Sequence, residues 1–431
     1  MKRNYLAPPP PPPAIRAAMA KVAERNAKNL PVFDFSSGNV GALPAELSLF
    51  TRFEVEVNRN LPESLVAIAE SLRRGIIESF YPSPRGLGYS PTGGVPLTKK
   101  LVLEYFKNIH GVPLSENDLN RIIVTAGGQQ ALAASLRSLK EGTSVLMPRW
   151  EYDAASGTVK THGLREVRVD VKDDLSIDLS DVESKAAKDS VFYLSMPNNP
   201  TGYTNPSDLR SIIEIMIRND GAVVWDAPYI FTVLRLNSGK AVYDEGFLKE
   251  KLNEFRNISS KYYDYMCILS SLSKTCLIAG LRFGMALSCP EWIENMNAIV
   301  GRENLSSPTA SFIIGTVILE EFLKKPITHT WTCKVLADRL TVLMEELNEY
   351  LILPGNGVFG ALYVLVKTPI DGDKFSAKIL EEYGVVTVPG RAFYGEPVNA
   401  VRLSLVAAPW VEGDEKWVRN VRELKKALKS T

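Results

Sequence analysis

From about residue 120 the chain alternates short apolar runs with stretches of helical periodicity. Ile122-Ile123-Val124 precedes a helix expected from about Gln129 to Leu139, and Ser144 to Met147 ends just before Trp150. Val191 to Met196 comes before a helix near Asp208 to Arg218, and Ala222 to Trp225 reads as the next strand. Tyr265 to Leu269 and Met285 to Ser288 close the series. β-Branched and aromatic runs separated by single helices predict parallel strands with crossover connections. After about residue 310 the pattern shifts to long helices with a few strands, such as Ala361 to Val366. The expected fold class is α/β, with a mainly parallel central sheet in a large domain and a smaller α+β domain built from both chain ends. The expected boundaries are 61–310 for the large domain and 31–60 plus 311–431 for the small one, with 1–30 as an N-terminal arm and helix. Pro8 to Pro13 predicts a stiff polyproline arm, and Ile15 to about Ala27 is compatible with a helix.

A chain of 431 residues exceeds the usual size of one hydrophobic core, which supports two domains. The 50 basic and 49 acidic residues leave a net charge of +1, so no electrostatic case for nucleic acid or a membrane surface arises. No apolar span reaches the length of a transmembrane helix, and no internal repeat is evident. Cys267, Cys276, Cys289 and Cys333 lack CxxC spacing, and Met1-Lys2-Arg3-Asn4-Tyr5 leads into prolines rather than an apolar signal core. A reducing cytoplasm is the expected location. His110, His162 and His329 lie far apart without HExxH spacing, so no metal site is expected and the catalytic base is not expected to be a histidine.

Chemistry-bearing residues fall just past the apolar runs, where open parallel α/β sheets bind ligands. Gly127-Gly128-Gln129 follows the first run, Trp150 the second, Asn198-Asn199-Pro200 the third, Asp226 the fourth and Ser273-Lys274 the fifth. The two glycines at a helix start would offer free backbone N–H groups to a phosphate, although an isolated Gly-Gly is more often a tight strand-to-helix turn. Asp226 directly follows Val223-Val224-Trp225, and a carboxylate at a buried strand end needs a cation or strong donors. A protonated heteroaromatic nitrogen would supply the cation; a helix or turn cap is the simpler explanation for the residue in isolation. Lys274 could serve as an amine nucleophile toward a carbonyl, whereas an isolated lysine is ordinarily surface charge. The case rests on the constellation.

These residues resemble the fold type I pyridoxal phosphate enzymes, specifically the class I and II aminotransferases, from about Gly38 to Ser404. Ser271-x-Ser273-Lys274, with Arg282 and Gly284 downstream, is similar to the family's cofactor-lysine signature. The resemblance implies that Lys274 carries pyridoxal 5'-phosphate as a Schiff base, while Ser271 and Arg282 hold its phosphate. Asn199-Pro200-Thr201-Gly202 resembles the turn whose Asn bonds the cofactor's phenolic oxygen beside the substrate carboxylate. Asp226-Ala227-Pro228-Tyr229 resembles the element that places Asp226 on the pyridine nitrogen and Tyr229 on the phenolic oxygen. Pro148-Arg149-Trp150 matches the element whose ring stacks on the pyridine, and Gly128 and Gln129 fall where the family binds phosphate. Tyr89-Ser90-Pro91-Thr92-Gly93-Gly94 resembles the segment whose tyrosine reaches the partner's cofactor, which implies a homodimer. Pro389-Gly390-x-x-Phe393 and Val401-Arg402-Leu403-Ser404 look like the segment that provides the arginine for the substrate α-carboxylate, with Gly38 approaching the substrate through its backbone.

The chain departs from the family at Gly38-Asn39-Val40-Gly41, in place of G-x-G-E-P-D, and at Gly127-Gly128, where a Ser or Thr is common. Arg302 lies near the region that reads a distal carboxylate in dicarboxylate-specific members, but out of register. The implied activity moves an amino group between an α-amino acid and a 2-oxo acid by a ping-pong route, Lys274 transferring the proton as base and then acid. Two other readings stand beside it. One is a pyridoxal phosphate-dependent C–S lyase or other α/β-eliminating enzyme, because the motifs serve the cofactor rather than the bond chosen. The other is a ligand-sensing regulator, which would carry an N-terminal DNA-binding domain larger than the fewer than forty residues before Gly38. The amino donor is not encoded in these motifs.

Overall fold

The computed structural model describes residues 14–39, 43, 50–51, 56–57, 62–80, 89–325 and 329–431. Pro8–Pro13, and Val40 and Gly41 after the first glycine motif, lie outside the described residues.

Seven strands form the central sheet: β1 (Ile122–Ala126), β2 (Ser144–Pro148), β3 (Arg165–Val169), β4 (Val191–Ser195), β5 (Ala222–Asp226), β6 (Met266–Ser271) and β7 (Phe283–Leu287). Their spatial order is β1-β7-β6-β5-β4-β2-β3. The neighbours from β3 to β6 pair in parallel, whereas β7 runs antiparallel to both β6 and β1. That exception to a parallel series has a local cause. Residues 272–282, between β6 and β7, hold only the one-turn helix Leu272–Thr275 and a short 3-10 turn, too little for a crossover. The sequence pattern also passed over β3, because Arg165, Glu166 and Arg168 interrupt its apolar run at the sheet edge.

Alternate side chains of these strands enter two cores. Leu146, Phe192, Leu194, Val223 and Trp225 pack in one cluster, whereas Val145, Met147, Val191, Tyr193 and Val224 pack in the other. Period-two alternation between two buried faces is what a helix-covered sheet requires, and it explains why these strands read as continuous apolar runs. Each helix starts where its sequence allows. Asn205 accepts from Ser207 N ahead of Pro206 in the helix Pro206–Arg218, and Asp178 caps Leu179–Lys185 in the same way.

A second, antiparallel sheet is built from β8 (Leu351–Ile352), β9 (Tyr363–Lys367), β10 (Val388–Pro389) and β11 (Ala400–Ser404), in the order β8-β9-β11-β10. The strand expected from Ala361 begins two residues later, because Ala361 takes a left-handed φ of 62° and breaks the extended run. Phe33–Asp34 pairs in parallel with Val385–Val386, which joins the early chain to its last third. The long helices expected after residue 310 are Thr309–Lys324 and His329–Leu347. Among the described residues no helix is long and apolar enough to cross a membrane.

Candidate active site

The C-terminal ends of β1 and β6 and the N-terminal end of β7 build an anion cradle. Helix α1 (Gly128–Arg137) starts directly after β1, so its first N–H groups face outward without intrahelical acceptors. Gly127 has φ +82°, and a Cβ there would stand 2.4 Å from Arg282 Nη2, so only glycine lets the guanidinium close on this turn. A Cβ on Gly284 would come 2.3 Å from the carbonyl carbon of Gly127, which holds β7 flush against the start of α1. Ser271 ends β6, and its Oγ lies 2.7 Å from Ser273 Oγ while accepting from Ser273 N at 3.0 Å. Arg282 donates to Ala279 O at 2.8 Å and forms no ion pair among the described residues. Helix N–H groups, two hydroxyls and a free guanidinium at one place suit a phosphate.

A buried acid and a buried guanidinium, neither ion-paired among the described residues, lie deeper. Asp226, at the end of β5, is 8 % exposed, accepts from Tyr193 Oη at 2.8 Å, and faces no cation among the described residues. Burial pushes its carboxyl up to about 7 against the opposing hydrogen bond from Tyr193. Arg402, on β11, is 0 % exposed and lies between the rings of Tyr363 (4.1 Å) and Phe393 (4.7 Å). Its Nη1 donates to Asn199 Oδ1 at 3.1 Å and its Nη2 to Ser36 O at 3.0 Å, whereas Nε has no partner among the described residues. Burial presses the guanidinium below its ordinary value, partly offset by Tyr363 and Asp153. Such charges are costly unless each meets an opposite one. One location wants a cation and the other a carboxylate.

Lys274 lies between the two sheets. Its Nζ donates to Gly38 O at 2.7 Å and stands 6.0 Å from the centre of the Tyr229 ring. Gly38 must be glycine, since a Cβ there would fall 2.1 Å from the Tyr363 hydroxyl. Tyr229 Oη donates to Tyr363 Oη at 3.4 Å. Burial acts to raise the Tyr363 phenol, but Lys274, Arg402 and the bond from Tyr229 outweigh it and hold that phenol below its usual value. Burial drives Tyr229 the other way, well above.

The structure therefore gathers Gly38, Gly128, Asn199, Asp226, Tyr229, Ser271, Lys274, Arg282 and Arg402 in one region. Trp150 is placed differently. Its ring packs on Tyr394 at 4.7 Å and beside Gly390, and it lines a small apolar cavity with Leu175, Ile177 and Met196. Beyond Tyr229, an aromatic side chain in electrostatic reach of Asp226, Tyr363 and Arg402 is Tyr152, whose hydroxyl donates to Gln129 Oε1 at 3.1 Å. The cause is the intervening residue: the Glu151 carboxyl binds both Tyr152 N and Ser195, which turns the chain as it leaves β2. Gln129 accordingly engages Tyr152 rather than standing free toward a phosphate. Tyr89 projects outward, 85 % exposed, and Arg302 is exposed in the last turn of the helix Pro290–Asn304. Sequence reasoning missed Glu151, Tyr152, Tyr193 and Tyr363. An acid three and an aromatic four residues past the end of β2 were the available signals for Glu151 and Tyr152, and nothing local marks Tyr363.

The family model for aminotransferase class I and II matches residues 57–419. The chain is 25% identical over 378 residues to an aspartate aminotransferase of Pyrococcus horikoshii, a match covering 84% of this chain and 86% of that protein. It is 24% identical over 331 residues to aromatic-amino-acid aminotransferase 2 of Thermococcus litoralis, covering 74% of this chain and 80% of that one. The fold resembles that of a single mutant of Thermus thermophilus aspartate aminotransferase with TM-score 0.75, at 20% identity over 99% of both chains.

Proposed function

Starting from a chain that belongs to the class I and II aminotransferases, we propose the following division of labour among its site residues. The protein is a pyridoxal 5'-phosphate-dependent transaminase that moves an amino group between an α-amino acid and a 2-oxo acid. Named relatives are aminotransferases, so the β-eliminating reading is not favoured.

The residues present suit that cofactor. The cradle of Gly128, Ser271 and Arg282 would hold its phosphate, with Gln129 alongside through Tyr152. Asp226, a buried acid lacking a cation, would bind the protonated ring nitrogen. Tyr229 would donate to the phenolic oxygen together with Asn199, and Lys274 would carry the cofactor covalently. Tyr152 would flank the ring, a role the sequence motif had given to Trp150. When bound, pyridoxal phosphate supplies an electron sink for the bond broken at the substrate's Cα.

Arg402 and Asn199 would receive the substrate α-carboxylate, the anion that the partnerless Nε and aromatic sandwich await. Holding the carboxylate there fixes the Cα–H bond relative to Lys274 Nζ. Lys274, kept in place by Gly38 O, would take that proton and hand it back, and the phenol of Tyr363 contributes to the field in which it does so. Tyr89 would act in the site of a partner copy in a cytoplasmic homodimer, and Arg302, exposed in this chain, is not assigned to a distal carboxylate.

The observation that carries this reading is a buried acid, Asp226, and a buried guanidinium, Arg402, neither ion-paired among the described residues, clustered with Lys274. Titration of the purified yellow protein with a panel of amino acids tests it. A donor should bleach the bound-cofactor absorbance and form its oxo acid, and a second oxo acid should restore the colour. Absorbance that persists with every donor would overturn the reading; so would borohydride-fixed cofactor in Lys274→Ala.

A further inference from the structure

Glu151 is a wholly buried acid at this site that none of the roles above uses. Its two oxygens receive four donors. Oε1 faces Tyr152 N at 2.7 Å and the Ser195 hydroxyl, while Oε2 faces Ser195 N at 3.0 Å and Asn198 Nδ2 at 3.4 Å. All four are uncharged, so the acid is not retained as half of an ion pair. Its contacts join the exit of β2 to the exit of β4, and they continue. Ser195 Oγ accepts from Asn199 N at 3.2 Å, and Asn199 Oδ1 accepts from Arg402 Nη1 at 3.1 Å. A single path of hydrogen bonds thus runs from Glu151 through Ser195 and Asn199 to Arg402. A hydroxyl has one proton, and the acid decides where it points. With that proton committed to Glu151, the lone pairs of Ser195 Oγ are left for Asn199 N–H.

We propose that Glu151 is a positioning residue that fixes Asn199, and through it Arg402, in the orientation that receives a carboxylate. The inference rests on the assignment of Asn199 and Arg402 to the substrate α-carboxylate. Glutamine cannot substitute in either amide orientation, since its nitrogen would face the Tyr152 N–H in one and the Ser195 N–H in the other. Neither Glu151 nor Ser195 touches the reacting atoms, so their removal acts on binding rather than on the proton transfer itself.

The test compares wild-type holoenzyme with Glu151→Gln, Ser195→Ala and the double variant. Affinity for acetate and maleate is read from the bound-cofactor absorbance, KM and kcat are measured with the best donor of the panel, and each variant is melted. Each single variant should weaken carboxylate binding and raise KM about tenfold, the size of one lost hydrogen bond to a charged group, with kcat within about threefold. The double variant should be no worse than the weaker single, because both cut one path. Unchanged carboxylate affinity, additive losses, or KM and kcat falling in parallel with melting temperature would each overturn the proposal. A shifted pH titration of the absorbance with intact carboxylate affinity would also overturn it, placing the acid's influence on Asp226 instead. Failure of wild type to bind any carboxylate, or full binding by Arg402→Lys, would sink the assignment of the clamp itself, separately from Glu151.

Discussion

At the scale of single residues the site is defined by charges that the fold leaves incomplete. Arg402 → Lys keeps a positive charge but removes the planar fork and its stacking between Tyr363 and Phe393. We expect kcat/KM to fall about 100-fold, mainly through KM, as for other truncated buried charge pairs. Steady-state kinetics on a good donor checks this, and an unchanged KM would contradict it. Asp226 gives a second expectation. In the cofactor-free protein burial keeps Asp226 protonated to about 7, whereas the unfolded chain releases that proton near pH 4, at about the usual carboxylate value. Between those limits the folded state binds more protons, so unfolding free energy falls as pH rises. The melting temperature of cofactor-free protein should therefore decline from pH 5 to pH 7 and level off above, and Asp226→Asn should flatten that decline. A rise through the same window would refute it. Lys274, Asp226 and Arg402 were legible because their chemistry is unusual beside apolar strands. Tyr363 and Glu151 were not, since only folding brings them to Lys274 and Asn199.

At the scale of elements, the decisive junction is where β1, β6 and β7 meet the start of α1. Strand register there leaves no room for even one methyl group. Gly284→Ala would drive a Cβ against the Gly127 backbone, and neither partner is the far end of a flexible side chain. The start of α1 must move, and with it the N–H groups of the cradle. We expect stability to fall by about 1–3 kcal/mol and affinity for pyridoxal phosphate to fall with it, whereas Gly280→Ala, which meets nothing within 4 Å, should change neither. Absorbance titration of the cofactor-free variants separates the two, and equal effects would discount the junction. The strands themselves were legible because both faces of β2, β4 and β5 are buried and so read as unbroken apolar runs. The direction of β7 was not, because it depends on the length of its connection rather than on its own residues. Trp150 shows the same limit in miniature. Sequence spacing placed an aromatic at the strand end, but the Glu151 bond to Tyr152 N sets the chain so that Tyr152 comes within electrostatic reach of Asp226.

For the whole molecule, a large domain at 61–310 and a small one from 31–60 plus 311–431 remain the proposed division, with Lys274, past the end of β6, bonding Gly38 from the early chain. The cradle and clamp lie within one chain, yet Tyr89 points away from both. It is 85 % exposed, and Leu97 and Leu305 nearby are 64 % and 58 % exposed. Thr92 Oγ1 bonds Leu305 O and Ser90 Oγ lies 3.4 Å from Ser307 O, so these apolar side chains stand on segments held together. A cluster of this kind invites burial against a second copy. If the homodimer forms there and Tyr89 serves its partner's cofactor, the contributions of two defective chains can be sorted. Tyr89→Ala should weaken cofactor retention in both sites of its homodimer, and Lys274→Ala should abolish activity in both sites of its own. A heterodimer of the two holds one site with a lysine from one chain and a tyrosine from the other. Co-expression with distinct tags and isolation of that heterodimer should therefore restore one normal site with wild-type KM and cofactor retention. Were Tyr89 to act within its own chain, the lysine-bearing site would always lack it, and the heterodimer would show only the weakened behaviour of Tyr89→Ala. A monomer at working concentration in sedimentation would exclude the arrangement outright.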